Sequence, residues 1–296
     1  MDAYRCPQNV FGDGEEKIVY DSPSFPLYFR EGKISSFYER KALPHYHADF
    51  EYIKINSGKL GYSVDGKHFL LRSGEGIFVN EKALHYGYGI KEEECDFLCL
   101  LFPSYLLASC PEVEERYLTP YLAKESALFL PKDSKALALL DQLWEEKEGA
   151  GDPLRLNALL YELWGATIPL FSSEVARLPS PSVRFLKASL AYLQSHYSER
   201  ISLPSFAKAL SVSPSFLTKL FRNYLHDSPM DYLTTYRLHL ASLKLISSDE
   251  SIKSLADEVG YASANFFARS FKKKYGLSPK AYRLAKGGEE TKELAL

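Results

Sequence analysis

A chain of 296 residues with 46% hydrophobic and 14% aromatic side chains can bury two cores, which excludes a disordered tail and leaves room for two domains. The net charge of −2 argues against a nucleic-acid partner only as an average. Residues 182–296 hold 17 of the 36 Lys+Arg and 10 of the 38 Asp+Glu, a balance of +7, against −9 for residues 1–181. A basic C-terminal part joined to an acidic one is the electrostatic pattern of a DNA reader with a separate sensing part. Four cysteines, Cys6, Cys95, Cys99 and Cys110, form no CxxC pair and no Cys/His cluster at zinc spacing. They read as reduced thiols, with Cys95 and Cys99 as strand residues of a core. The N-terminus has no apolar signal region, and no uncharged stretch reaches the roughly 18 apolar residues of a membrane span. A cytoplasmic protein with no membrane partner is expected.

Residues 1 to about 20 carry little pattern and are expected to form a loosely tied arm able to fold over the neighbouring domain. From Phe25 the texture is that of strands: Leu27-Tyr28-Phe29, 50–55, 59–64, 68–71 and 76–79. Turn signals separate these runs, at Asn56-Ser57-Gly58, Asp65-Gly66, Arg72-Ser73-Gly74 and Asn80-Glu81. Asp65-Gly66 is a two-residue hairpin signal. Short strands at this spacing predict a sandwich or jelly roll.

Within it, Pro44-His45-Tyr46-His47, Glu51, Gly58, Gly74-Glu75-Gly76 and His85 resemble the two motifs of the cupin fold. The resemblance implies that His45, His47, Glu51 and His85 converge, because alternate residues of a strand share a face and a barrel returns the later histidine to the earlier pair. Three readings stay open: contacts to a bound small molecule, histidines satisfied by one another, and, as the least favoured, metal ligands. No cofactor is therefore expected, with His45, His47, Glu51 and His85 as the conditional metal set. Arg30, Tyr62 and Tyr88 join those four as candidate ligand-binding residues, with Tyr28, Tyr52 and Tyr86 as further aromatic candidates. Twenty-one tyrosines suit stacking against a sugar or a flat metabolite, whose C–H face packs on a ring while its hydroxyls need partners.

Past Phe102-Pro103 the alternation fades and helices take over. Ser134 opens a run with Leu137, Leu140, Leu143 and Trp144 on one stripe, and Asp152-Pro153 opens another with Leu156, Leu159, Leu160 and Leu163. Such stripes serve an intramolecular core or a second copy equally well. Residues 172–182, with Pro179 and Pro181 and no periodicity, read as a linker. A helix over 183–197 comes next, then one from Leu203-Pro204, a turn at 209–213, and a helix from Pro214 to about Leu225. Its inward side carries Phe216, Leu217, Leu220 and Phe221; its outward side carries Ser215, Thr218, Lys219 and Arg222. A long helix over 229–247 leads to the stretch 251–283, again helix, tight turn, helix.

In that stretch Ile252, Leu255, Ala256 and Val259 recur at helical spacing, Gly260 stops the first helix, and Phe266, Phe267, Ser270 and Phe271 point inward on the second. The other side offers Ala264, Asn265, Arg269, Lys272 and Lys273; Lys274 and Lys280 read as solvated. Leu220-Phe221-Arg222 to Ser228-Pro229 repeats at Ser270-Phe271-Lys272 to Ser278-Pro279, 50 positions on.

Ala256, Val259-Gly260-Tyr261, Phe266-Phe267, Arg269, Phe271-Lys272, Gly276, Ser278-Pro279 and Tyr282-Arg283 resemble the DNA-binding domain of the AraC/XylS family of bacterial transcription regulators, over about 183–283. One departure is His226, where the family pattern has a turn glycine; that helix end needs another cap or a left-handed residue. The resemblance implies base readout by Ser215, Thr218, Lys219, Ala264, Asn265 and Arg269, and phosphate contacts by Arg222, Lys272 and Lys273, at half-sites about one helical turn apart. It also implies dimerisation through the helical segment.

The expected fold is α+β with two domains: an N-terminal cupin-like β-barrel (jelly roll) with flanking helices, and a C-terminal all-α tandem helix-turn-helix domain. The expected boundaries are 1–131 for the ligand-binding domain, 132–171 for the helical dimerisation segment, 172–182 for the linker, 183–286 for the DNA-binding domain and 287–296 for a flexible tail. The expected function is a transcription regulator, an activator before a repressor, answering to a sugar or derivative. Its partners would be double-stranded promoter DNA, the effector, a second copy and RNA polymerase. The competing reading is a metal-dependent cupin isomerase or oxygenase with a DNA-binding tail.

Overall fold

Alternating apolar residues, interrupted by turn residues, give eight strands in the computed structural model, which describes residues 15–22, 24–172 and 180–285. They are β1 (Tyr28–Lys33), β2 (Asp49–Ser57), β3 (Lys59–Val64), β4 (Lys67–Arg72), β5 (Gly76–Val79), β6 (His85–Gly89), β7 (Asp96–Pro103) and β8 (Ala127–Leu130). Two antiparallel sheets result, five strands in the order β1-β7-β2-β5-β8 and three in the order β4-β3-β6. Asp65 and Gly66 join β3 to β4 with φ of 47° and 81°, the two positive values that a tight hairpin turn matching strand twist demands.

The period of two decides what each sheet face buries. On β2 and β7, Ile53, Ile55, Phe97, Cys99 and Leu101 meet Leu60, Tyr62 and Val64 of β3 in an inter-sheet core. The alternate residues Phe50, Tyr52, Leu98, Leu100 and Phe102 join a second core with two helices. Short helices α1 (Pro111–Tyr117) and α2 (Thr119–Leu122) precede β8; the two long ones are α3 (Lys135–Glu148) and α4 (Pro153–Thr167). Ser134 and Asp152 cap the long pair by accepting from the backbone N–H of Leu137 and Leu154. Leu137, Leu140, Leu143, Leu156, Leu159, Leu160 and Leu163 are all buried there. The leucine stripes thus serve the core of their own unit, at roughly 1.5–3 kcal/mol for each side chain. A second copy would have to use other faces.

The chain forms two compact units that divide at Arg184/Phe185, within α5 (Pro181–Ser195). The expected linker ends inside that helix; its residues 173–179 lie outside the described residues, as do the tail 287–296 and the first part of the arm. The described arm residues are tied rather than loose. Glu16 N–H donates to the Tyr46 carbonyl at 2.8 Å, Tyr20 donates to Asp49 at 2.7 Å, and Asp21 pairs with Arg30 at 2.6 Å.

The second unit continues with α6 (Leu203–Ala209), α7 (Pro214–Leu225), α8 (Pro229–Ser247), α9 (Ile252–Glu258) and α10 (Ala264–Tyr275). Serines cap α6 to α10 at their N-termini: Ser202, Ser213, Ser228, Ser251 and Ser263. The repeat seen in the sequence is a repeat of packing: Phe221 sits edge-on to Tyr232 at 6.1 Å, and Phe271 to Tyr282 at 5.3 Å. His226 takes the left-handed alternative, with φ 55° and ψ 30°.

Candidate functional site

The N-terminal unit encloses a chamber of about 80 Å³ between the two sheets, the segment before β2 and the arm. Ile34, Phe37, Ile53, Leu60 and Leu101 make its apolar walls, with Tyr28 and Tyr62; Glu16, His45 and Glu51 make a polar end. Strand parity brings Glu51 inward, and isolated bridges between His45 and His85 and between Glu15 and Tyr46 draw in the HxH segment and the arm.

His45, His47, Glu51 and His85 are all buried, and one ligand atom from each lies within 4.8 Å of the others. The three rings are anchored alike, each through Nδ1 to a backbone carbonyl. His45 Nδ1 meets the Leu43 carbonyl at 2.7 Å, His47 Nδ1 the Asp49 carbonyl at 3.1 Å, and His85 Nδ1 the Ala83 carbonyl at 2.8 Å. A carbonyl oxygen only accepts, so each Nδ1 carries a proton and each ring turns its Nε2 to the centre. There His85 Nε2 stands 2.7 Å and His47 Nε2 3.4 Å from Glu51 Oε2, and His45 Nε2 stands 3.0 Å from Glu16 Oε2. Tyr62 donates to the other oxygen of Glu51 at 2.8 Å and fixes the carboxylate. Nε2 of His47 and His85 and Oε2 of Glu51 are buried without a satisfying hydrogen bond.

Electrostatics binds the cluster together. Burial pushes the Glu51 carboxyl up, but the neighbouring His85 and His47 outweigh it and hold the group well below the usual range. For His45, burial acts downward and the Glu16 carboxylate overrides it, raising the ring to about 9. Burial drives His85 down against the pull of Glu51. Three Nε2 atoms and a carboxylate oxygen within 4.8 Å of one another, each ring anchored from behind by a backbone carbonyl, are a donor set that fits a divalent transition-metal ion once His45 gives up its proton, and the orphaned atoms of His47, His85 and Glu51 are among those it would occupy.

Of the seven ligand candidates, His45, Glu51 and Tyr62 line the chamber, His47 and His85 stand against Glu51 without lining it, and Tyr88 and Arg30 lie elsewhere. Tyr88 shares the outward parity of Tyr86, its ring covering Gly61 and facing His68, whereas His85 and Gly87 are the inward residues of β6. Arg30 shares a face with Tyr28, but its half-exposed guanidinium turns to Asp21. Tyr52 lies on the other sheet face, hydrogen-bonded to Thr167 at 3.0 Å. Glu16 was invisible in the sequence, since only the fold brings the arm here. Cys95 and Cys99 are buried, and burial raises the Cys95 thiol to about 12, as befits an inert core thiol.

In the second unit Ser215, Thr218, Lys219 and Arg222 line one shallow depression on α7, together with Asn223, which no sequence pattern singles out. Thr218 Oγ1 donates to the Pro214 carbonyl at 3.0 Å, so its hydroxyl proton is engaged within the helix. On α10, Asn265, Arg269, Lys272 and Lys273 are exposed and Ala264 is half-buried. Three expectations are corrected. Phe216 and Phe266 are 43% and 56% exposed, lying over Phe185 and Tyr261 instead of entering the core, because each precedes the buried residue of its turn, Leu217 and Phe267. Lys274 is buried and donates to the Thr235 carbonyl of α8 at 3.0 Å. A long aliphatic stem lets it cross the interface and satisfy a carbonyl there.

The model of an AraC-like ligand-binding domain matches residues 33–164, and that of a helix-turn-helix domain matches residues 206–285. The chain is 23% identical over 250 residues to the uncharacterized HTH-type transcriptional regulator YdeC of Bacillus subtilis, covering 81% of this chain and 85% of the relative. It is 26% identical over 254 residues to the HTH-type transcriptional activator RhaS of Citrobacter koseri, covering 82% and 88%. To the raffinose operon transcriptional regulatory protein RafR of Pediococcus pentosaceus it is 30% identical over 132 residues, 45% of this chain and 48% of that one. Among the described residues no helix is long and apolar enough to cross a membrane. With an apolar-walled chamber that has one polar end in the first unit, paired helix-turn-helix units in the second, and both domain models matched in that order, the chain belongs to the AraC/XylS family of transcriptional regulators.

Proposed function

We propose that this regulator binds promoter DNA through α7 and α10 and that a small molecule entering the chamber changes that binding. The observation that carries the reading is the chamber's fourth wall: Glu16, Lys17, Ile18 and Val19 of the arm line it directly. At about 80 Å³ it is smaller than the roughly 150 Å³ cavity that takes up benzene, so a sugar-sized effector needs more room than the chamber offers, and displacement of the arm is the proposed source of it. A ligand that differs in affinity for the two arm positions shifts their populations, as a switch requires. The raffinose-operon relative makes a sugar or derivative the effector class to test, and the relative named as an activator makes activation the direction. Tyr28 and Tyr62 beside aliphatic walls suit a sugar ring's C–H face.

Base readout is assigned to Ser215, Lys219, Asn265 and Arg269, with Ala264 allowing close approach and Thr218 offering its methyl and lone pairs. Phosphate contacts are assigned to Arg222, Lys272 and Lys273. Dimerisation is placed on the outward faces of 132–171, and the protein is read as cytoplasmic, acting with RNA polymerase. The proposed domain limits follow the sequence expectation, except that the DNA-binding domain begins with α5 at Pro181 instead of at residue 183. The four-residue His/Glu cluster also supports a second reading, a metal-dependent cupin enzyme; the relatives' naming as regulators favours the sensor.

The test is a thermal-shift screen against sugars, sugar phosphates and aromatic acids, paired with binding to an operator selected from random DNA. The expected hit raises the melting temperature and changes operator affinity at least tenfold. Selection that recovers no preferred sequence would overturn the DNA assignment, and ligands that stabilise without altering DNA binding would overturn the switch.

A further inference from the structure

We propose that Phe216 of α7 and Phe266 of α10 are specificity-determining residues, each laying its exposed ring on the C5-methyl group of a thymine in the major groove. This rests on the DNA-binding reading and adds to it the base contacted and the group recognised.

Recurrence argues for it first. Single apolar residues on a surface are ordinary and carry no function by themselves. Among the described residues of the second unit, the exposed large apolar side chains are Phe216, Phe266, Leu277 and Leu284. Shifted by the 50-residue repeat, Leu277 and Leu284 fall on Asp227 and Thr234, whereas the two phenylalanines fall on each other. Phe221 and Phe271, matched at the same spacing, are buried in both copies. Core packing accounts for that buried pair; it does not account for a pair that both copies leave in solvent.

Position argues second. Both phenylalanines stand in the first turn of their helix, where Ser213 and Ser263 accept from the backbone N–H of Phe216 and Phe266 at 3.2 Å and 3.4 Å. The N-terminal residues of a recognition helix are those that reach base edges. At about 100° per residue, each ring lies about 60° round the helix from an exposed cation three residues on, Lys219 or Arg269. Three residues advance about 4.5 Å along the axis, against about 3.4 Å for one base pair, so ring and cation address neighbouring base pairs. The rings are also held in place, Phe216 edge-on to Phe185 at 5.5 Å and Phe266 against Tyr261 at 5.8 Å. A ring backed in this way loses little freedom on binding.

Chemistry argues third. Among the polar edges that the major groove presents, the thymine methyl is the apolar group. Phe266 is flanked on its helix by Arg269 and Lys273, both exposed. An apolar protein surface laid on this face would bury those cations unpaired, whereas DNA offers phosphates and base acceptors for them and a methyl for the ring.

The experiment uses full-length protein and an operator selected from random DNA, in which each thymine is replaced in turn by deoxyuridine, which lacks only the C5-methyl. Affinities are read by fluorescence anisotropy for the wild type, Phe216→Ala and Phe266→Ala. The wild type should lose about fourfold at one thymine for each recognition helix, the worth of burying one methyl group. Phe266→Ala should bind the thymine operator at least fourfold more weakly and no longer distinguish thymine from uracil at one position. That position should lie within two base pairs of the one at which Arg269→Ala relaxes preference. Phe216→Ala should do the same at the other half-site, so each copy checks the other if one variant loses its fold. An operator with no methyl-sensitive thymine overturns the proposal from the wild type alone and leaves the DNA-binding reading standing. Alanine variants that weaken thymine and uracil operators alike, keeping the wild-type discrimination, overturn it too, because a merely structural ring would behave so. Selection that recovers no operator removes the DNA-binding reading and this inference with it.

Discussion

The two helix-turn-helix units use the same parts under different constraints. In the first, the turn after α6 is made by Ser211 with φ 57°, a serine in left-handed backbone; in the second the equivalent position is Gly260 with φ 82°. A Cβ on Gly260 would fall 2.5 Å from the Tyr197 carbonyl oxygen and 2.8 Å from the Arg237 guanidinium. Arg237 in turn donates to the carbonyls of Tyr197 and Glu199. The second turn is therefore wedged against the end of α5 and against α8. The helix ends differ likewise: α7 closes on left-handed His226 and α10 on left-handed Gly276. At the position before the last of each helix, Tyr224 of α7 matches Lys274 of α10, whose ammonium reaches α8. A duplicated motif thus keeps its caps and aromatic pairs but assigns its glycines by what lies next to each copy.

The sharpest way to break that comparison is Gly260→Ala. Backbone clash and left-handed strain together should cost about 3 kcal/mol, read as a lowered urea midpoint, whereas Ser211→Ala should stay within about 1 kcal/mol. Equal losses would mean the turns are equivalent after all. Arg269→Ala should cost about 1–3 kcal/mol of operator affinity and relax preference at one base pair. Arg222→Ala should instead weaken all sequences alike and reduce the salt-dependence slope by about 0.9, measured by titration at several salt concentrations. Lys274→Ala should lower stability by about 1 kcal/mol through loss of its hydrogen bond to the Thr235 carbonyl and of its buried stem, while Lys273→Ala should weaken DNA binding with stability unchanged. The smallest effect is a gain: His226→Gly relieves a left-handed side chain, balanced in part by unfolded-chain entropy, for about 0.5 kcal/mol in thermal denaturation.

Much of the fold was legible from local pattern. Alternation placed β2 to β5, Asp65-Gly66 placed the hairpin, and Pro229 to Ser247 bounded the central helix, because strand pleat, turn geometry and helix caps depend on residues close in sequence. The histidine cluster was legible through the cupin resemblance. What lies outside local pattern was misjudged: Phe216 and Phe266 sit on the margin of a helix face, where burial depends on the reach of Phe185 and Tyr261. Tyr88 and Arg30 were placed by residue type, and neighbours across the sheet decided otherwise.

By itself, then, the sequence determined the elements, their caps, the repeat and the side chains from which a DNA reader and a polar chamber are built, since each arises from short-range periodicity and backbone preference. Only the tertiary structure decided that the leucine stripes of α3 and α4 face their own sheet, that Lys274 is structural, and that Glu16 meets His45. Those are contacts across 29 or more residues, set by which surfaces the packed sheets leave uncovered, and no local pattern encodes them.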